Sequence, residues 1–260
     1  MIQHMKRELK FRTGWIPDIP DQRDIKYSAI YRIPKKLPPR VDLKAFCSTI
    51  ENQGNLGSCT ANALVGAVEF LEKKNGKPLT DLSRLFVYYG ERLIEHTVST
   101  DSGASLRSGI KSLYHNGVCP ESEWPYVESQ FTRKPSSLCY KHAKKRKITS
   151  YQRLNTVDEM KSCLAEGFPF SFGFAVYLSF RTPKVFKTGV IPMPKKDEAA
   201  TNEGHAVLCV GYDDSKKVFR IRNSWGKDWG INGYGTMPYK YLEDRNLSDD
   251  FWTIRTGLHM

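Results

Sequence analysis

Gln53-Gly54-Asn55-Leu56-Gly57-Ser58-Cys59-Thr60 runs directly into an apolar set at Ala61, Leu64, Val65, Val68 and Leu71. A polar, glycine-bearing loop thus gives way to a helix over 60–74, with Asn75-Gly76 as its stop signal. A cysteine at this junction meets unpaired backbone N–H groups and the positive end of the helix dipole. Both favour the thiolate, which is the nucleophilic form. Upstream, Gln53 carries a side-chain amide able to donate to an oxyanion. Nucleophilic chemistry on Cys59 further requires a base and a group to orient it.

Working outward, helical patterns cover 81–95, 106–116 and 157–166. Phe168-Pro169-Phe170-Ser171-Phe172-Gly173-Phe174 alternates bulky and small, as a strand does. Ala206 to Tyr212 reads as a buried strand, Asp213-Asp214-Ser215 as a turn, and Val218 to Arg222 as the returning partner. Helices dominate 41–147 and antiparallel strands 148–260, which predicts an α+β fold of two lobes with a cleft between them. Before Val41, residues 1–40 carry Pro17, Pro20, Pro34, Pro38 and Pro39, so an extended arm is expected there. Trp15, Ile16, Ile19, Ile25, Tyr27 and Ile30 are too many apolar groups for a free tail, and the arm should dock on the body.

The 260 residues carry 40 Lys+Arg against 28 Asp+Glu, a net charge of +12. This attracts anions in general. The basic run Lys141 to Lys147 reads as a solvated face, and no nucleic-acid motif accompanies it. No apolar run is long enough to span a bilayer. No signal peptide is visible at the N-terminus, so a cytoplasmic location or export by another route is expected. The six cysteines, at 47, 59, 119, 139, 163 and 209, contain no C-x-x-C pair. They are scattered where a zinc site needs tight ligand spacing, so neither a metal nor a cofactor is expected. An even count permits disulfides without demanding them.

Of six histidines, only His205 heads a buried strand, behind Gly204. Asn223 ends the partner strand, in Asn223-Ser224-Trp225-Gly226. Its side-chain oxygen can accept from one ring N–H of His205 and free the other nitrogen for Cys59. Trp225 can shield that bond from water.

Three blocks resemble the papain-like cysteine proteases: Gln53 to Cys59, Gly204-His205-Ala206-Val207, and the long stretch Asn223-Ser224-Trp225-Gly226-Lys227-Asp228-Trp229-Gly230 through Gly235. Their order spans residues 41 to about 255, and His205 follows Cys59 by 205 − 59 = 146 positions, within the family's interval of about 130–150. The arm, with Gly14-Trp15-Ile16-Pro17-Asp18 and Pro38-Pro39-Arg40-Val41-Asp42, is similar to that of a bacterial, xylellain-type branch. The resemblance implies a helical lobe and an antiparallel, β-barrel-like lobe. It implies Cys59 as nucleophile, His205 as base and acid, Asn223 as orienting residue and Gln53 in the oxyanion hole. It also implies that Gly103 pairs with the substrate backbone, that Ser105, Gly173 and Ala206 lie near a substrate pocket, and that Trp225 and Trp229 line the cleft. The family's Cys-Gly-Ser-Cys-Trp stands here as Leu56-Gly57-Ser58-Cys59-Thr60, so half of a usual disulfide is gone. The implied function is peptide-bond hydrolysis of a polypeptide substrate, with residues 1–40 lying over part of the cleft and restraining it. Acyl transfer on the same triad, as in a transglutaminase or ligase, and a catalytically silent binding module remain open alternatives.

Overall fold

The computed structural model describes residues 12–257; the expected arm's first eleven residues lie outside them. In chain order the elements are α1 (Tyr27–Ile30), β1 (Arg40–Asp42), α2 (Cys59–Lys74), α3 (Arg84–Ile94), α4 (Leu106–His115) and α5 (Ser137–Ala143). There follow β2 (Ser150–Arg153), α6 (Val157–Ala165), β3 (Phe170–Tyr177), α7 (Pro183–Thr188), β4 (Ala200–Asp213) and β5 (Val218–Arg222). The last are β6 (Tyr234–Pro238), α8 (Tyr239–Glu243) and β7 (Ser248–Arg255).

From Cys59 to Glu72 every residue of α2 is buried. A helix buried all round needs partners on every side, and α2 has them: β4 on one flank, α3 and α4 on another. Its acidic Glu69 is buried with its charge paired: Arg84 of α3 meets both carboxylate oxygens, at 2.8 and 2.6 Å, and Leu82 N and Ser48 Oγ donate to them as well. A paired, hydrogen-bonded charge of this kind fixes how two helices meet, and removing one partner strands the other.

The strands form an antiparallel sheet in the order β2-β7-β3-β4-β5-β6, with β1 added to the far end of β4. Phe170, Phe172 and Phe174 point to one face of β3, where successive rings meet in tilted pairs at 5.9 and 6.2 Å along the strand. Ser171 and Gly173 face the other way, and that small face leaves room for an aromatic side chain described below. The sheet stays open: β2 and β6 are its outer strands among the described residues, which corrects the barrel-like closure. Register matters for the chemistry. Gly173 stands opposite Ala206 and Phe174 opposite His205, while Leu208 stands opposite Arg222. Asn223, the first residue past β5, therefore emerges beside the His205 end of β4.

Candidate active site

Cys59 is the first residue of α2, as the junction predicts. The loop before it is held from three directions. Gln53 N donates to Ser224 O at 2.9 Å, and Ser224 Oγ donates to Gln53 Oε1 at 2.7 Å. Gln53 Nε2 donates to Leu56 O at 2.9 Å. Tyr126 Oη donates to Gln53 O at 2.8 Å and lies 2.5 Å from Ser58 Oγ. Gly57 N is held by Asp101, at 2.9 Å to Oδ1. Fixing the amide through its oxygen and one N–H leaves Gln53 a second N–H in a buried setting.

His205 is fully buried, and its Nε2 lies 2.8 Å from Asn223 Oδ1. Ser224 N donates to the same atom at 2.9 Å, which identifies it as the amide oxygen. An oxygen only accepts, so Nε2 carries the ring proton and Nδ1 offers a lone pair. That Nδ1 is buried and has no hydrogen-bond partner. Trp225 lies over the imidazole, with ring centroids 4.6 Å apart, and Phe174 meets it edge-on at 5.6 Å. Burial pushes the His205 pKa down to about 4, against the raising effect of the Asn223 bond. Burial pushes the Cys59 thiol up to about 12, although the backbone N–H groups of Ala206, Gly14 and Thr60 favour the thiolate. In this closed arrangement both groups are neutral at pH 7.

The burial has an identifiable cause. Gly14 N and Trp15 N both donate to Gly204 O at 2.9 Å. Ala104 N donates to Gly14 O at 2.8 Å, and Ile16 N donates to Ala104 O at 3.0 Å. The Trp15 indole fills the space above Gly173, where a Cβ would stand 1.9 Å from the ring. A carboxylate cluster lies beneath. Asp250 Oδ2 accepts from Trp15 Nε1 at 3.1 Å and from Asp18 N at 2.7 Å. Asp18 accepts from Trp252 Nε1 at 2.8 Å and from Arg107 N at 3.0 Å. Arg107 pairs with Asp24 at 2.5 Å, and Arg153 with Asp250 at 2.7 Å and Asp249 at 3.0 Å. Farther out, Arg12 pairs with Asp101 at 3.2 Å, and Arg12 O accepts from Trp225 Nε1 at 3.2 Å.

Several expected site residues sit elsewhere than expected. Backbone pairing with the arm falls to Ala104; Gly103 instead adopts φ +75° and clears Gly14 O, which a Cβ would approach to 2.1 Å. Ser105 caps α4, its Oγ accepting from Ser108 N at 3.3 Å, and bonds Glu95 at 2.8 Å. Trp229 is 1% exposed with the arm docked and packs edge-on against Trp225 at 6.2 Å. Gly173 and Ala206 do come to the site. Asp101, Ala104, Tyr126 and Asp250 join the site only in the folded chain; Asp101 and Ala104 lie beside Gly103 and Ser105, which the sequence marks, while Tyr126 and Asp250 lie in stretches without a comparable signal. All six cysteines are free thiols, in line with the loss at Leu56.

The profile of the papain family of cysteine proteases matches residues 33–249. The chain is similar to the crystal structure of xylellain, a cysteine protease from Xylella fastidiosa. That match has 46% identity and a TM-score of 0.88 over 97% of this chain and 99% of the other. It is 40% identical to an uncharacterised peptidase C1-like protein of Acanthamoeba polyphaga mimivirus, over 93% of this chain and 86% of that protein. It is 29% identical to chymopapain of Carica papaya, over 82% of this chain and 57% of that longer protein. The chain therefore belongs to the papain family of cysteine proteases.

Proposed function

We propose that the chain is a thiol endopeptidase acting through Cys59, His205, Asn223 and Gln53, and that residues 12–30 hold it closed. The observation that carries the reading is the His205 ring. Its Nε2–H is committed to Asn223 and its Nδ1 lone pair is buried without a partner. A base so prepared takes the Cys59 proton as the thiol attacks a peptide carbonyl, then returns it to the leaving amine. The acyl-enzyme is released by water. The Gln53 amide and the backbone N–H of Cys59 supply the donors for the oxyanion. The helical body around 41–147 and the strands of 148–260 would form the two walls of the cleft.

The arm supports latency through chemistry as well as bulk. The Gly14 peptide is held on both sides, its carbonyl by Ala104 N at 2.8 Å and its N–H by Gly204 O at 2.9 Å. The arm is thereby fixed across the site without offering Cys59 a carbonyl free for attack. Trp15 occupies the pocket over Gly173 that a substrate side chain next to the scissile residue would fill.

Peptide hydrolysis by the wild-type protein and by Cys59→Ala, both confirmed folded, tests the reading. The variant should lose activity by at least about 10⁴-fold. Undiminished hydrolysis by Cys59→Ala would sink it. Product analysis with an added amine separates hydrolysis from acyl transfer.

A further inference from the structure

Away from the cleft, Cys119, Glu123 and Cys139 converge. Their ligand atoms all lie within 4.8 Å of one another, with both cysteines buried and Glu123 partly so. Cys119 leads into the turn after α4, and its carbonyl accepts from Ser83 N at 2.9 Å. Cys139 lies in the first turn of α5, with its Sγ 3.1 Å from Ser136 Oγ and 3.5 Å from the Glu123 carbonyl. One helical turn on, His142 Nδ1 lies 2.6 Å from Glu123 Oε1. The other carboxylate oxygen, Oε2, is buried and has no hydrogen-bond partner. The spacing is C-x₃-E and C-x₂-H, two short ligand pairs joined by a longer loop. Two buried thiols and a carboxylate oxygen without a hydrogen-bond partner thus meet at one place, with His142 behind the carboxylate.

We propose that Cys119, Cys139 and Glu123 bind a zinc ion, with His142 orienting the Glu123 carboxylate from outside and a solvent molecule as fourth ligand. Two thiolates and one carboxylate form a borderline-soft set, which suits zinc and not the hard cations magnesium or calcium. Zinc–sulfur bonds of about 2.3 Å and zinc–oxygen bonds of about 2.0 Å place tetrahedral ligands within such a spacing after a small contraction. Binding releases the two thiol protons to solvent. Three deprotonated ligands leave the loaded site with one surplus negative charge. Lys141, Lys144 and Lys145, on α5 and the turn that follows it, lie in sequence near Cys139 to offset it. The basic run thereby gains a role that needs no nucleic acid. His142 and Glu123 are 31% and 24% exposed in their side chains, which gives the ion a way in. The ion would tie α5 to the stretch that ends in Tyr126, whose hydroxyl holds the Gln53 carbonyl.

The test uses the full chain carrying Cys59→Ala, so that the nucleophile cannot report, in a non-thiol reductant. Cobalt titration should produce a thiolate-to-cobalt charge-transfer band, zinc should displace it, and metal analysis should find about one zinc per chain. Cys119→Ser or Cys139→Ser should abolish the band. Should either variant fail to fold, His142→Gln at the surface serves instead and should weaken zinc binding by about tenfold or more. The proposal is overturned by absence of the band in the Cys59→Ala protein or by its persistence in Cys139→Ser. Unchanged affinity in His142→Gln, or a Cys119–Cys139 disulfide that withstands the reductant, overturns it as well.

Discussion

The cleft and the arm that fills it bury polar groups by opposite means. At the cleft, His205 and Asn223 form a neutral hydrogen bond under Trp225, and burial holds both the imidazole and the Cys59 thiol uncharged. At the arm's anchor, four carboxylates, Asp18, Asp24, Asp249 and Asp250, meet three guanidinium groups, Arg107, Arg153 and, on Asp249, Arg245. A neutral pair costs little desolvation and keeps its state across a wide pH range. A charged cluster with an excess of one sign does not. Asp250 shows the strain: burial first, then the nearby Asp18 charge, pushes its carboxyl up to about 7. The neutral pair at the cleft is thus insensitive to pH near neutrality, and the carboxylate cluster under the arm is sensitive to it.

Breaking the neutral pair should have the larger effect. Asn223→Ala leaves His205 free to rotate or to take the other tautomer, and should lower kcat by roughly 10²–10⁴-fold. Steady-state kinetics on protein with an unchanged melting profile would check this. An effect under about twofold would mean that the bond does not orient the base.

Removing the arm's plug should act in the other direction. Trp15→Ala deletes the indole over Gly173 together with its bond to Asp250. The observed rate scales with the open fraction, so it should rise by about tenfold or more, a shift of about 1.4 kcal/mol per decade. Alkylation of Cys59 by a thiol reagent should accelerate in parallel. Equal rates in wild type and variant would separate the arm from latency.

The charged anchor sets a pH direction. Asp250 holds its proton up to about 7 when the arm is docked, facing Asp18 and Asp24 from the arm, Arg107 from α4, Arg153 from β2 and Asp249 from β7. Undocking removes Asp18 and admits water, which lowers that pKa. Docking therefore takes up a proton; it is favoured at lower pH and weakens as pH rises through about 7. The alkylation rate should increase over this window. Asp18→Asn, which removes the like charge, should move the inflection to lower pH. An inflection unchanged by the substitution would assign it to another group.

The smallest effect is on acid stability. His205 titrates near 6.5 when exposed and near 4 in the fold. The folded state binds fewer protons, so this contribution is present above about 6.5 and is lost as pH falls towards 4. The wild-type denaturant midpoint should fall more steeply between about pH 6.5 and 4 than that of His205→Gln. Parallel curves would show that the imidazole does not stay neutral.

Much of this was legible along the chain, for local reasons. The run of apolar residues after Cys59 could only be a buried helix, and α2 begins at that cysteine. Strand β5 and its turn followed from alternation and the Asp213-Asp214-Ser215 signal, since neighbouring strands joined by a tight turn depend on nearby residues. β7 is not legible in the sequence because almost its whole length is buried, which removes the period-two pattern. The sequence by itself determined the helix that starts at Cys59, the strand of His205 and the asparagine that follows the partner strand. In each case the residue type and its immediate neighbours carry the chemistry. Only the tertiary structure decided that Ala104 pairs with the arm, that Trp15 fills the space Gly173 leaves, and that Asp250 lies beneath it. It also brought Cys119 and Cys139, scattered in the chain, to one place. Contacts between residues far apart in sequence depend on how helices and sheet close on one another, and no local period records that distance.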